Sequence, residues 1–259
     1  MKGKDYDNYI FDLYGTLIDI HVDEMKLSLW KLMAKAYNVY GCGWEAKALR
    51  ESFFYLDKEE RVLLQKSNGS DHPEIKLERV FVRLLLEAEN THDTEVKIEG
   101  KSINELREKY ACDREGVMEL LMQSDWCMFM ANLFRIESRT YFRVYKNTIK
   151  TLNKLREKGK KIYLLSNAAG IFTRPELENS GLAECFDAVY ISSDLGVMKP
   201  DIRFMNALIE GEKLDKNRSV MVGNEIRCDE AIAKKCGMDC ILINSGDGGD
   251  NKKTIEDLI

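Results

Sequence analysis

Apolar and polar positions follow two rhythms along the chain. Tyr9, Ile10 and Phe11 form a short apolar run that stops at Asp12 and gives way to Tyr14-Gly15-Thr16, the pattern of a buried strand ending in a turn. From about Asp23 to about Thr140 no convincing strand is visible, and apolar residues recur three and four positions apart. That spacing predicts helices over 27–33, 44–65, 77–85, 103–110 and 117–134, with turn-forming pieces such as Ser67-Asn68-Gly69-Ser70-Asp71 between them. After about Tyr141 helix and strand alternate. A helix over 147–158 closed by Gly159 precedes a strand over 161–165, and further strands are predicted at 189–191, 220–222 and 240–243. Helices near 175–179, 203–210 and 229–236 separate them.

Strands that alternate with helices build a parallel sheet covered on both faces, so the expected class is α/β with a doubly wound sheet. The first strand most simply joins that sheet. Residues 1–20 and 141–259 would then form the sheet domain, and 21–140 an all-helical insertion.

Composition narrows the functional classes. With 259 residues, 44% hydrophobic and 32% charged, the chain has material for one or two packed domains and is not a disordered segment. The balance of 39 basic against 44 acidic residues, net −5, supplies no general positive field for nucleic acid or an anionic membrane. Any anion must be caught by a local arrangement. Only three prolines interrupt the chain, in keeping with long helices. No apolar run approaches the roughly 18–20 residues that span a bilayer, and the start MKGKDYDNYIF has no apolar segment behind its lysines. Seven cysteines, an odd number with no CxxC pair, fit a reducing compartment, so a cytoplasmic protein is expected. Cys228, Cys236 and Cys240 read as small buried residues rather than a metal site, and His21, His72 and His92 are scattered.

In an open α/β sheet, ligands bind beyond the carboxyl ends of the strands. The residues expected there are Asp12, Tyr14 and Thr16, then Ser166 and Asn167, then Asp194 and Lys199, then Asn224, Glu225 and Asp229. An aspartate, small hydroxyls, a lysine and further acids suit a carboxylate nucleophile that attacks an anionic substrate.

Four strings carry a resemblance. FDLYGTLID (11–19), LLSNA (164–168), GVMKPD (196–201) and VGNEIRCD (222–229) resemble, in order, the four motifs of the haloacid dehalogenase-like hydrolase superfamily, and the helical insertion after the first resembles the family's helical cap. The resemblance implies a Rossmann-like core and a hydrolase in which Asp12 forms a covalent aspartyl intermediate. Ser166 would bind a substrate oxygen with backbone N–H groups around Asn167 and Gly15, Thr16 would lie in the same substrate loop, and Lys199 would offset negative charge. Magnesium would be held by Asp12, the Tyr14 carbonyl, Asn224 and Asp229. The expected ligand is a small anionic molecule, with no nucleic acid or membrane partner.

Two positions depart from the family's phosphatases. Tyr14 stands where they carry a second aspartate as general acid and base, and tyrosine, with a pKa near 10, is badly matched to taking a proton from water at pH 7. The dehalogenase branch resembles this chain there, because a halide needs no protonation on leaving. Asn224 replaces the first acid of the fourth motif, which lowers the attraction for a hard dication. Three readings follow: a phosphohydrolase of a small phosphorylated metabolite, a metal-independent 2-haloacid dehalogenase, and a weak or inactive family member that binds a ligand. Against the second, the first arginine after Asp12 is Arg50, so no early arginine is available to hold halide. The GDGGD run (246–250) reads as a surface loop, and Trp30, Trp44, Phe53, Phe54, Trp126 and Phe129 mostly as core of the insertion.

Overall fold

The computed structural model describes residues 4–243 and 253–259, so the GDGGD run lies outside the described residues. The chain opens with β1 (Asn8–Phe11) and β2 (Ile18–Val22), then runs through α1 (Leu27–Val39), α2 (Ala46–Asn68) and α3 (Glu78–Leu86). A two-residue hairpin, β3 (Lys97–Ile98) and β4 (Lys101–Ser102), precedes α4 (Ile103–Cys112), α5 (Arg114–Met122) and α6 (Asp125–Ser138). After β5 (Arg139–Val144) the order is α7 (Thr148–Glu157), β6 (Lys161–Ser166), α8 (Gly170–Ser180), β7 (Ala188–Ile191) and the short α9 (Ser192–Leu195). It closes with α10 (Ile202–Gly211), β8 (Ser219–Gly223), α11 (Ala231–Cys236) and β9 (Asp239–Leu242).

Two compact units emerge, one of Met1–His21, Leu64–Glu74 and Tyr141–Ile259, the other of Val22–Leu63 and Ile75–Thr140. The first holds the five-stranded sheet, in the order β7-β6-β1-β8-β9 and parallel throughout. The period of two along β1 sorts its side chains onto two faces. Tyr9 and Phe11 pack with Leu152, Leu155 and Leu177 on one side, while Ile10 meets Phe204, Met205, Leu208 and Ile232 on the other. This is the doubly covered α/β sheet that the alternating rhythm implied.

The chain departs from its sequence pattern in several places. β2 and β5 pair as a separate two-stranded ribbon, and the β3–β4 hairpin interrupts a stretch whose periodicity is otherwise helical. Residues 117–134 are two helices, because the Ser124 hydroxyl accepts the Cys127 N–H and starts α6 afresh. α8 begins at Gly170, five residues before the proline expected to open it. Residues 64–74 belong with the sheet unit: Asn68 Nδ2 donates to the Gly196 carbonyl at 3.0 Å and the Ser70 hydroxyl to Asp201 at 2.6 Å. Among the described residues no helix is long and apolar enough to cross a membrane.

The helical unit has an aromatic centre. Phe134 stacks on Phe53 at 5.1 Å and meets Phe81 and Trp30 edge-on at 5.5 and 5.7 Å. Trp126 is also buried, whereas Phe54 and Phe129 remain exposed. Beside this core the buried carboxylate of Glu60 pairs with Arg79 and Arg83, charges that hydrophobic periodicity does not reveal. Phe134→Ala is expected to cost about 3–5 kcal/mol, read as a lower denaturant midpoint.

Asp201 caps α10 through the Arg203 N–H and also pairs with the Arg203 guanidinium. The Arg203 hydrogen bond, with help from Ser70 and against burial, holds the Asp201 carboxyl well below the usual carboxylate range. A depressed carboxyl stabilises the fold above its unfolded value, about pH 4, and loses that contribution as pH falls toward its folded one. The stability gap between wild type and Asp201→Asn is therefore expected to be full at neutral pH and to close in acid.

Candidate functional site

The site grows from the carboxyl edge of the sheet. β1 is level with β6 at Phe11↔Leu164 and with β8 at Phe11↔Val222, so the residues after all three strands leave the sheet together. The Asp12 N–H still donates to the Val222 carbonyl at 2.9 Å, which continues the ladder by one step. The chain then wraps onto one acceptor: the N–H groups of Thr16, Leu17 and Ile18 all reach the Leu13 carbonyl, and Leu13, Leu17 and Ile18 are fully buried. This tight wrap fixes where the Asp12 carboxylate sits.

Lys199 lies between two acids. Its Nζ is 2.6 Å from Asp12 Oδ1 and 2.7 Å from Asp229 Oδ1, and all three residues are buried. Burial alone would lower the Lys199 pKa, but the two carboxylates outweigh it and the ammonium is pushed up to about 12. For Asp12, burial pushes the carboxyl above its ordinary value while Lys199 and the Thr16 hydroxyl pull the other way.

Each member is held by further partners. Asp229 Oδ2 accepts the N–H groups of Asn224 and Glu225, both at 3.0 Å, so this acid organises the loop after β8 as well as the lysine. A Cβ at Gly223 would overlap that carboxylate, which is why β8 ends in glycine. Asn167 grips the main chain of Lys199 twice: its Oδ1 accepts the Lys199 N–H at 2.7 Å and its Nδ2 donates to the Lys199 carbonyl at 3.0 Å. The Thr16 hydroxyl is shared between Asp12 Oδ2 at 3.0 Å and Asn224 Oδ1 at 3.1 Å. Gly15 has φ +81°, and a Cβ there would stand 2.6 Å from Asn224 Nδ2, so both conformation and space require glycine.

Asp12, Tyr14, Asn167, Lys199, Glu225, Cys228 and Asp229 line a cavity of about 110 Å³. That is small beside the roughly 300–1,000 Å³ of whole-ligand pockets, and suits one reacting group. Burial, with Glu225 beside it, raises the Cys228 thiol to about 11, which keeps it protonated and unreactive. The Ser166 hydroxyl, fully buried at the end of β6, makes no hydrogen bond within the described structure. An orphaned buried hydroxyl is costly unless a ligand atom completes it.

Most of the motif residues converge, although some hold other work than the motifs suggested. The Gly15 N–H, expected to face substrate, donates to the Ile18 carbonyl at 2.8 Å. Asp194, expected at the same edge, pairs with Arg174 at the surface at 2.7 Å. Cys228, Cys236 and Cys240 are free thiols, and among the described residues no group of three His, Cys, Asp or Glu side chains is placed to hold a metal ion. The strings did not disclose the double grip of Asn167 on Lys199, nor the partners of the Tyr14 hydroxyl described below.

An aspartate and a lysine thus pair at the carboxyl edge of a parallel sheet, with an orphaned serine hydroxyl on the neighbouring strand. In comparison with known proteins, the haloacid dehalogenase-like hydrolase family model matches residues 6–237, and the chain belongs to that family. It is 36% identical over 103 residues to a glyceraldehyde 3-phosphate phosphatase of Methanothermobacter thermautotrophicus, a match covering 40% of this chain and 46% of that protein. The match thus spans about half the length of this curated relative. The fold is similar to that of a 2-haloacid dehalogenase from Pseudomonas syringae pv. Tomato, with TM-score 0.59, 20% identity and coverage of 97% and 92% of the two chains. It is also similar to a HAD phosphatase from Thermococcus onnurineus, with TM-score 0.53, 23% identity and coverage of 97% and 95%.

Removing the central cation leaves two buried carboxylates unneutralised. Lys199→Met is expected to destabilise the protein by about 3–5 kcal/mol, and adding Asp12→Asn to recover part of that loss, both read from denaturant midpoints.

Proposed function

We propose that the protein hydrolyses the phosphate ester of a small metabolite, with Asp12 as the nucleophile. The observation that carries this reading is the buried Asp12–Lys199–Asp229 trio beside the orphaned hydroxyl of Ser166. The phosphatase name of the curated relative supports it.

In this reading the Asp12 carboxylate attacks phosphorus, the bond to the leaving oxygen breaks, and that oxygen departs with its electron pair and takes up a proton. Water then attacks the aspartyl-phosphate, phosphate leaves, and the pair of the broken bond returns to Asp12. Lys199 offsets the charge that accumulates between nucleophile and substrate, and the Ser166 hydroxyl donates to a phosphate oxygen. Asn167 keeps the lysine in place through its main chain, and Asp229 orders the loop that carries Asn224 and Glu225. All the residues given a part in this reaction belong to the sheet unit.

The donor set fits magnesium as a site of low charge: the Asp12 carboxylate, the Tyr14 main-chain carbonyl and Asn224 Oδ1 would hold it, with substrate oxygens and water completing the shell. Asp229, whose two oxygens already serve Lys199 and two amides, supports these donors from behind. When bound, the ion neutralises phosphate charge during attack.

A second reading is a metal-independent 2-haloacid dehalogenase, favoured by Tyr14 and Asn224. There Asp12 attacks the carbon that bears halogen, halide leaves, and water hydrolyses the ester.

The deciding experiment assays wild type and Asp12→Asn on a panel of phosphate esters and 2-chloropropionate, with magnesium and with chelator. Phosphate release that depends on magnesium and falls at least about a thousandfold in Asp12→Asn, ~4 kcal/mol of barrier, is the expected result. Chloride release that survives chelation would establish the second reading. Equal rates for the two proteins, or none for either, would leave a ligand-binding member of the family.

A further inference from the structure

The Tyr14 hydroxyl donates to Glu176 Oε2 at 2.5 Å and lies 3.2 Å from Thr173 Oγ1. Both partners sit on α8, the helix that follows the Ser166 strand. Glu176 is only 5% exposed and Thr173 fully buried. Thr173 Oγ1 in turn donates to the Ala169 carbonyl at 3.0 Å, so the single Tyr14 proton stays on the shorter bond to Glu176. An acid is thus buried at the end of this phenol.

A tyrosine two residues after the nucleophile is by itself a poor base toward water. A carboxylate behind the phenol changes the balance. When the phenol oxygen takes a proton from water it can release its own to the carboxylate in the same event, so the group that finally holds the proton is the acid.

We propose that Tyr14 and Glu176 form a two-residue proton relay that does the work of the absent second aspartate. The proposal rests on the phosphohydrolase reading. In the hydrolytic half-reaction a water oxygen bonds to phosphorus while one water O–H bond breaks. Its proton passes to the Tyr14 oxygen as the Tyr14 proton passes to Glu176 Oε2, and the bond from phosphorus to Asp12 breaks with its electron pair returning to the carboxylate. The proton now on Glu176 goes back through Tyr14 to the leaving oxygen of the next substrate, which closes the cycle with no other donor. Tyr14 is the catalytic residue of the pair, and Glu176 is a positioning residue that acts through it.

The test uses the full chain with magnesium and p-nitrophenyl phosphate, whose leaving group departs without protonation, so that loss of the relay falls on the water step. Glu176→Gln, Tyr14→Phe and the double variant are compared with wild type for turnover, KM, the burst of nitrophenol and the phosphorylated protein seen by mass spectrometry after acid quench. The expected result is a fall in kcat of about 10²–10⁴ in each single variant with KM little changed. Phosphorylated protein should accumulate, and the double variant should be no worse than the singles. Glu176→Asp, which keeps a carboxylate, should restore part of the rate, as no purely structural loss would. Wild-type turnover in Glu176→Gln overturns the relay. So does a lower rate in Glu176→Gln and Tyr14→Phe with no accumulated intermediate, which would make the contact a tether. Failure of the underlying reading looks different: Asp12→Asn then matches wild type, or wild type itself releases no nitrophenol, and both proposals fall.

Discussion

One buried ammonium governs the site. Lys199 stands within hydrogen-bond distance of Asp12 and Asp229, and without it two carboxylates would share a dry edge of the sheet with nothing to offset them. Its position is over-determined. Asn167 clamps its main chain on both sides, and Asp229 is anchored by two amides of the loop after β8. Three strands far apart in sequence thus converge on a single charge balance.

Asp12 inherits its setting from that balance. Burial disfavours an ionised Asp12, and the lysine and the Thr16 hydroxyl work against that penalty. Thr16 also reaches Asn224, so one short hydroxyl couples the first motif to the fourth. The cavity in front of these groups is about 110 Å³, small beside the roughly 300–1,000 Å³ of whole-ligand pockets.

Much of this was legible in the chain because it depends on local order. Asp12 closes an apolar run, Ser166 closes another, and the GVMKPD and VGNEIRCD strings place Lys199 and Asp229 after strand and turn signals, so sheet topology alone brings them to one edge. Illegible were the contacts made by side chains whose partners lie far off in sequence. The Asn167 side chain is a clamp on Lys199, which no string disclosed. Gly15 read as an amide donor and spends its N–H on Ile18, while its lack of a Cβ makes room for Asn224. In the helical unit periodicity marked the apolar faces, but it carried no sign that Glu60 and Arg83 pair inside them.

By itself the sequence determined the α/β class and the helical insertion, which follow from periodicity, and the family and the groups at the sheet edge, which follow from the resemblance of four strings to the family's motifs. Only the tertiary structure decided how those groups are spent: which hydroxyl stays orphaned, which amides are already committed, and that Tyr14 has a buried carboxylate behind it. The physical reason is that a hydrogen bond needs two atoms about 3 Å apart with the right alignment. For pairs such as Tyr14 and Glu176, separated by most of the chain, packing alone sets that distance.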